Sequence, residues 1–400
     1  MATPKLAMIP TGYKAGKLYS VLPESGVGDF TVVRATEATR VNEAGLIETM
    51  GANVPRLDYS DGGCPILLTE PQRTNIQTYS SDLASVYIPT NITQTSNYGA
   101  SPDGSLTSTR VVLANLTDSR SVETLTGALT NGVVYTFSCY YKGVEGESTY
   151  MYFLSSTGGT NVSKEIIFTG YWQRESVTFT AGSASNYTYI VDVRQGTSTA
   201  TDFEVWGAQV EQASYPSSYI KTEGSAVTRN ADQVYGSGDA ATFNDSEGVL
   251  MAEISALKDP VDFNNWLTIT GGTAANSVGI VFETTGTATA RIEVGGVGQS
   301  YLSTQVDYSN LIKVAFKYKE NDFAWWINGF EVATDLSGVT FPSNTLNTFQ
   351  FSYGAGSNNW AGKTSQIQYF NTVLTDSELE TLTSWTSFIE MAQAQNYNII

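Results

Sequence analysis

A chain of 400 residues is long enough for two to four domains, each with its own core. Its 39 Asp and Glu against 21 Lys and Arg leave a net charge of −18, which repels nucleic-acid phosphates and anionic membrane surfaces and argues against genome binding. With no histidine anywhere, Ser-His-Asp and Cys-His catalysis and all His-based metal sites are excluded. The two cysteines, Cys64 and Cys139, make no disulfide framework, and both are expected as small buried fillers.

The first residues, MATPKLAMIPTGYKAGKLYSVLP, scatter Lys and Pro where a secretory signal needs an unbroken apolar run. No later run reaches membrane-spanning length, so a soluble chain made in a cytoplasm is expected. Thr, Ser, Gly, Asn and Tyr are abundant and only 15% of residues are charged, the balance of strand-rich proteins, so the fold class is all-β. Thr39 to Asn75 carries turn signals at 42–45, 51–55 and 61–65 and reads as short strands and loops. Its Leu46, Ile47, Leu57, Ile66 and Leu67 are too few for a private core and need a partner chain or the next domain. Arg40, Arg56 and Arg73 are expected to pair with local carboxylates and pin these loops.

The order Ala-Thr-Arg, Gly-Leu-Ile, Pro-Arg, Tyr, Leu-Leu, Glu, Gln-Arg-Thr-Asn within Leu18 to Ser80 resembles the amino-terminal module of bacteriophage surface proteins. The resemblance implies a virion-docking module at 1–85 that contacts other virion proteins.

From Val86 the period changes to two. Tyr135, Phe137, Cys139 and Tyr141 alternate with Thr136, Ser138 and Tyr140, and Val177 and Phe179 alternate with Thr178 and Thr180, as in half-buried antiparallel strands. Gly-rich breaks at 143–146, 158–159 and 182–186 space them as in a jelly roll over 86–225. The Tyr-Thr-Phe-Ser strand, the Trp172-Gln173-Arg174 strand start and the closing Phe203-Glu204-Val205 strand resemble carbohydrate-binding jelly-roll modules. Such modules often hold a structural calcium with an acidic residue near the closing strand, where Asp202 stands; since Ca²⁺ takes six to eight oxygens, a solvated carboxylate is the competing reading. Asp202–Glu211, DFEVWGAQVE, followed by SSYIKTEGSAVTR at 217–229, resembles a junction in bacteriophage tail-fibre and virion surface proteins.

Residues 226–247 are polar and glycine-bearing and read as a linker. Beyond them Ile312, Val314, Phe316 and Tyr318 face one way and Lys313, Ala315, Lys317 and Lys319 the other, a one-sided strand. Phe323, Trp325 and Ile327 alternate into Asn328-Gly329, the favoured type I′ pair, before Phe330 and Val332 return as a hairpin. Trp325 and Trp326 point to opposite faces, so one lies outside the core, under the helix, a neighbour or a ligand. Thr375 with Glu378 forms a capping box, and Leu379, Leu382, Trp385, Phe388 and Ile389 make a helical stripe. Val314–Val332 and Ile367–Leu382 resemble the hairpin and closing strand-helix of laminin-G-like, concanavalin A-like sandwiches, which places that fold, with its C-terminal helix, at 248–400.

Catalysis without histidine leaves a glycosidase with two carboxylates about 5–10 Å apart. Glu283, Glu293 and Glu331 each stand alone on their strands and Asp202 with Glu204 is a single alternating pair, so no catalytic residue is assigned and the chain is not expected to be an enzyme. Glycan binding needs an apolar ring face and planar amides. Asn264, Asn265 and Trp266, and Asn358, Asn359 and Trp360, supply both; the alternative is that these tryptophans fill sandwich cores. No cofactor is expected beyond that calcium.

Together these resemblances imply a bacteriophage virion structural protein at the virion surface, assembled in the host cytoplasm: a fibre, spike or head or tail decoration exposing β-sandwiches to host-surface glycans. The resemblance also implies a homo-oligomer, with a trimer favoured. The competing readings are a ligand-free capsid or tail cementing protein and, less favoured, a polysaccharide depolymerase.

Overall fold

The computed structural model describes residues 2–125, 129–257, 265–283, 286–354 and 358–385. Its strands are antiparallel throughout, and among the described residues one α-helix, Asp376–Thr383, accompanies them. No described helix is long and apolar enough to cross a membrane. The all-β expectation with a C-terminal helix holds.

The chain divides into two compact units. One comprises 1–37, 50–71 and 230–400, the other 38–49 and 72–229. The first 85 residues therefore do not form a body of their own, and the expected 226–247 linker is not a linker. Val227–Arg229 pairs with Arg73–Asn75, and Gln233–Tyr235 pairs with Phe30–Val33. The reason is the one that made the amino-terminal segment look dependent. Its few apolar residues are buried by joining an existing sheet.

In the first unit an eight-stranded sheet runs Phe330–Asp335, Phe323–Ile327, Ile312–Lys319, Glu247–Ala256, Gly362–Phe370, Ile66–Thr69 and Leu57–Asp58, with Leu6–Met8 also paired to Gly362–Phe370. A five-stranded sheet runs Val297–Gln305, Thr287–Val294, Ser277–Phe282, Asn265–Thr270 and Thr348–Gln350. Leu250, Val314, Phe316 and Trp325 from one and Leu267, Ile269, Ile280 and Ile292 from the other form a single core, which also takes in Leu6, Met8, Leu57 and Leu67. The Asn328-Gly329 hairpin forms as expected: both residues have positive φ, 49° and 87°, and Ile327 faces Phe330 across the turn.

The strand Ile312–Lys319 departs from expectation on its second face. Lys313 and Lys317 are buried, and Ala315 joins Trp326, Leu374 and Leu379 in a smaller core. The helix supplies Leu379 to this face and so covers Trp326. Thr375 caps the helix: its Oγ1 accepts from the Glu378 N–H, and the Glu378 carboxylate accepts from the Thr375 N–H at 3.0 Å. Leu382 packs against the same small core, and the Nζ of Lys313 stands 4.5 Å from the Trp385 ring centre. Phe388 and Ile389 lie outside the described residues.

The second unit is a sandwich of two five-stranded sheets. One runs Ile88–Thr90, Arg120–Thr124, Asn186–Asp192, Ser148–Ser155, Val162–Ile167; the other runs Ile92–Thr95, Thr109–Leu113, Asp202–Glu211, Val134–Lys142, Gln173–Thr180. Tyr135, Phe137, Cys139, Tyr141, Val177 and Phe179 all lie in the core between them, on the face the alternation assigns. Cys139 is a buried filler, whereas Cys64 is exposed, because it sits in the Asp61–Pro65 turn, where there is no core to enter.

Candidate functional site

Asn265 and the Asn358-Asn359-Trp360 run, far apart in sequence, meet in the first unit. Asn265 opens the strand Asn265–Thr270, and its Oδ1 accepts the Ala361 N–H at 2.7 Å. That bond fastens the turn 358–361 to the strand. The turn is set by Asn358, whose φ of 50° is in the left-handed region that Asn tolerates better than most residues. Trp360 then donates its backbone N–H to the Phe351 carbonyl at 2.8 Å. The result is a pocket of about 190 Å³ lined by Glu70, Pro71, Ala231, Asn265, Asn358, Asn359, Trp360 and Ala361.

Asn358 and Asn359 are half-buried, and among the described residues neither side chain has a hydrogen-bond partner. Each therefore keeps an acceptor and two donors for a ligand. Asn265 keeps its Nδ2 group, its oxygen being committed to Ala361. Asn264 lies outside the described residues.

The tryptophans require a correction, because neither offers a ring face to a ligand. Trp360 is 1% exposed and belongs to the main core, edge-on to Phe282 with ring centres 5.3 Å apart. Trp266 is 4% exposed and, being next to Asn265 on a strand, points to the opposite face. There it packs on Tyr353 at 4.3 Å and under the Arg291 guanidinium at 4.9 Å. Glu293, the single acid on its strand, accepts from the Tyr301 and Tyr353 hydroxyls, each at 3.0 Å, and pairs with Arg291. These groups are spent on one another.

Asp202 is likewise occupied. Arg110 donates through Nε to its Oδ1 at 2.8 Å and through a terminal nitrogen to its Oδ2. That hydrogen bonding holds the carboxyl below the usual carboxylate range. A calcium ion would have to displace the guanidinium, and among the described residues no three His, Cys, Asp or Glu side chains converge to help it. The Asp202 carboxylate is thus committed to Arg110.

Sequence reasoning missed the buried ion-pair network that holds Glu70, one of the lining residues. Glu70 pairs with Arg56 at 2.6 Å, Arg56 also pairs with Asp232, and Asp232 pairs with Arg34 at 2.8 Å, all four side chains being buried. Burial pulls the Arg56 guanidinium down, but Asp232 and Glu70 together lift it above its ordinary value. Arg34 is completed by the carbonyls of Thr36, Val54 and Gly51 at 3.0, 3.2 and 2.8 Å. Two cations and two anions thus cancel inside the fold, at the cost of strict geometry. Arg56 was expected to pin a loop through a local acid, and Glu70 is that acid. Asp232 lies 176 residues away, and no sequence spacing announces it. Arg40 pairs with its neighbour Glu48 at 2.9 Å, and Arg73 donates to the Gln72 carbonyl at 2.9 Å and the Tyr215 hydroxyl at 3.3 Å.

The fold and this pocket define an all-β sandwich protein with a small amide-lined recess. No protein-family model and no curated protein matches the chain. Among solved structures it is similar to the CBM40 of the Ruminococcus gnavus IT-sialidase bound to α2,3-sialyllactose, at 16% identity over 36% of this chain and 86% of that one, with a TM-score of 0.32. It is similar also to a heptameric SAP-like pentraxin from Limulus polyphemus (14% identity, 36% and 71% covered, TM-score 0.30). A third likeness is to the receptor-binding domain of botulinum neurotoxin mosaic serotype C/D (11% identity, 38% and 39% covered, TM-score 0.29). Overlaps this small leave function to be argued from the chain's own residues.

Proposed function

We propose that this chain is a non-enzymatic surface component of a bacteriophage particle, a fibre, spike or decoration, that binds host-surface glycans through the pocket at Asn265, Asn358 and Asn359. The observation that carries the binding role is the set of unspent amides around one recess. Half-buried amides with no partner among the described residues are donors and acceptors that a hydroxyl-rich ligand can engage. Support for the particle setting is the resemblance of 18–80 and of the 202–229 junction to phage surface proteins, and the net charge of −18 suits a part kept off nucleic acid. In this reading the chain assembles in the host cytoplasm as a homo-oligomer, with a trimer favoured, and attaches to other virion proteins through its amino-terminal region.

The burial of Trp266 and Trp360 favours a second reading, a cementing protein with no ligand, since the stacking faces that sugar binders use are missing. A glycan array probed with the full chain separates the two. Binding that is lost in an Asn358→Gly, Asn359→Ala variant supports the first, and silence across the array supports the second. Release of reducing ends from host polysaccharide would overturn the non-enzymatic assignment. Labelling of intact particles with antibody to the chain tests the virion location.

A further inference from the structure

We infer that the pocket takes one neutral sugar residue, at a chain end, and rejects acidic sugars of the same size; this deepens the glycan-binding reading and rests on it. The first argument is charge. The groups free to meet a ligand are the amides of Asn358, Asn359 and Asn265, all neutral. Among the described lining residues the charged side chain is Glu70, an anion already matched by Arg56 at 2.6 Å. Among the described residues no Lys or Arg lines the recess. A uronic or sialic carboxylate would lose its hydration there, find no cation, and sit beside a carboxylate. A neutral ring has hydroxyls that both donate and accept, which is what free amides require.

The second argument is size. At about 190 Å³ the recess is smaller than the roughly 300–1,000 Å³ of sites that enclose drug-sized molecules, so it admits a single ring and not an internal stretch of polysaccharide. The core position of Trp360 and the Asn265 bond to Ala361 anchor two sides of the recess.

The test uses the full chain, first on an array bearing matched neutral and acidic terminal residues, then by titration with a hexose and its uronic acid, glucose against glucuronic acid or galactose against galacturonic acid. The Asn358→Gly, Asn359→Ala variant is measured alongside. Glycine keeps the positive φ at 358, and Asn359 holds nothing in place, so both changes leave the fold intact. The expected result is roughly millimolar binding of a neutral residue, at least about tenfold weaker binding of its acid, and loss of both in the variant. Equal or tighter binding of the acid, lost in the variant, overturns the neutral-sugar inference and leaves glycan binding standing. Neutral-sugar binding that survives in the variant moves the site elsewhere and overturns this pocket. Silence toward both charge classes overturns the inference and the glycan-binding reading together.

Discussion

Trp360 sits beside two ligand-ready amides yet points its ring into the core. Trp360→Ala should therefore cost about 3–5 kcal/mol and lower the melting temperature by several degrees, measured by thermal denaturation; an unchanged melting temperature would contradict the core placement. Glu123 is a second residue with consequences. Burial pushes its carboxyl up to about 7, and a hydrogen bond with Gln77 only partly offsets this. Since the folded value lies above the unfolded one, the stabilisation is complete below about pH 4.5 and is lost as pH rises through about 7. Chemical denaturation across that window should show the wild type losing about 3 kcal/mol relative to Glu123→Gln, with the difference flat above pH 8. Residue-scale chemistry was only partly legible in the sequence. The amide runs stood out by composition, but the partners of Glu70, Asp232 and Glu293 depend on which strands become neighbours.

Elements were read with more success, because a strand's side-chain period is a local property. The Asn328-Gly329 hairpin, the alternation of Tyr135 through Tyr141 and the Thr375 capping box all formed where the pattern placed them. What the period could not tell was whether the second face of Ile312–Lys319 would meet water. It meets the helix, through Trp326 and Leu379, and the Lys stems lie under cover while Lys317 reaches Asp322 at 2.7 Å. Helix and sheet face thus stabilise each other, so Thr375→Ala should cost about 1 kcal/mol, read from urea unfolding. The same variant should increase quenching of tryptophan fluorescence by acrylamide as Trp326 loses cover. A helix that frays without either change would mean the cap is dispensable to that small core.

For the whole molecule, the amino-terminal strands complete a sheet built mainly from the carboxy-terminal half. Leu6 faces Tyr369 and Thr69 faces Gly362 across paired strands. A fragment 248–400 would leave one edge of Gly362–Phe370 open along part of its length and uncover the core contacts of Leu57 and Leu67. It should unfold less cooperatively than the full chain and bind the dye ANS; a sharp transition without dye binding would show the added strands to be ornamental. Glycan assays therefore belong to the full chain.

By itself the sequence determined composition, charge, strand period, turn chemistry and helix capping, because each is settled by a residue and its near neighbours, and from these followed the all-β class and the exclusion of histidine chemistry. Only the tertiary structure decided that 1–37 and 50–71 join 230–400, that Asn265 and the Asn358-Asn359-Trp360 run line one pocket, and that Trp266 and Trp360 are buried. Sheet pairing between distant segments rests on long-range packing and on hydrogen bonds any backbone can make, and neither leaves a mark on local sequence.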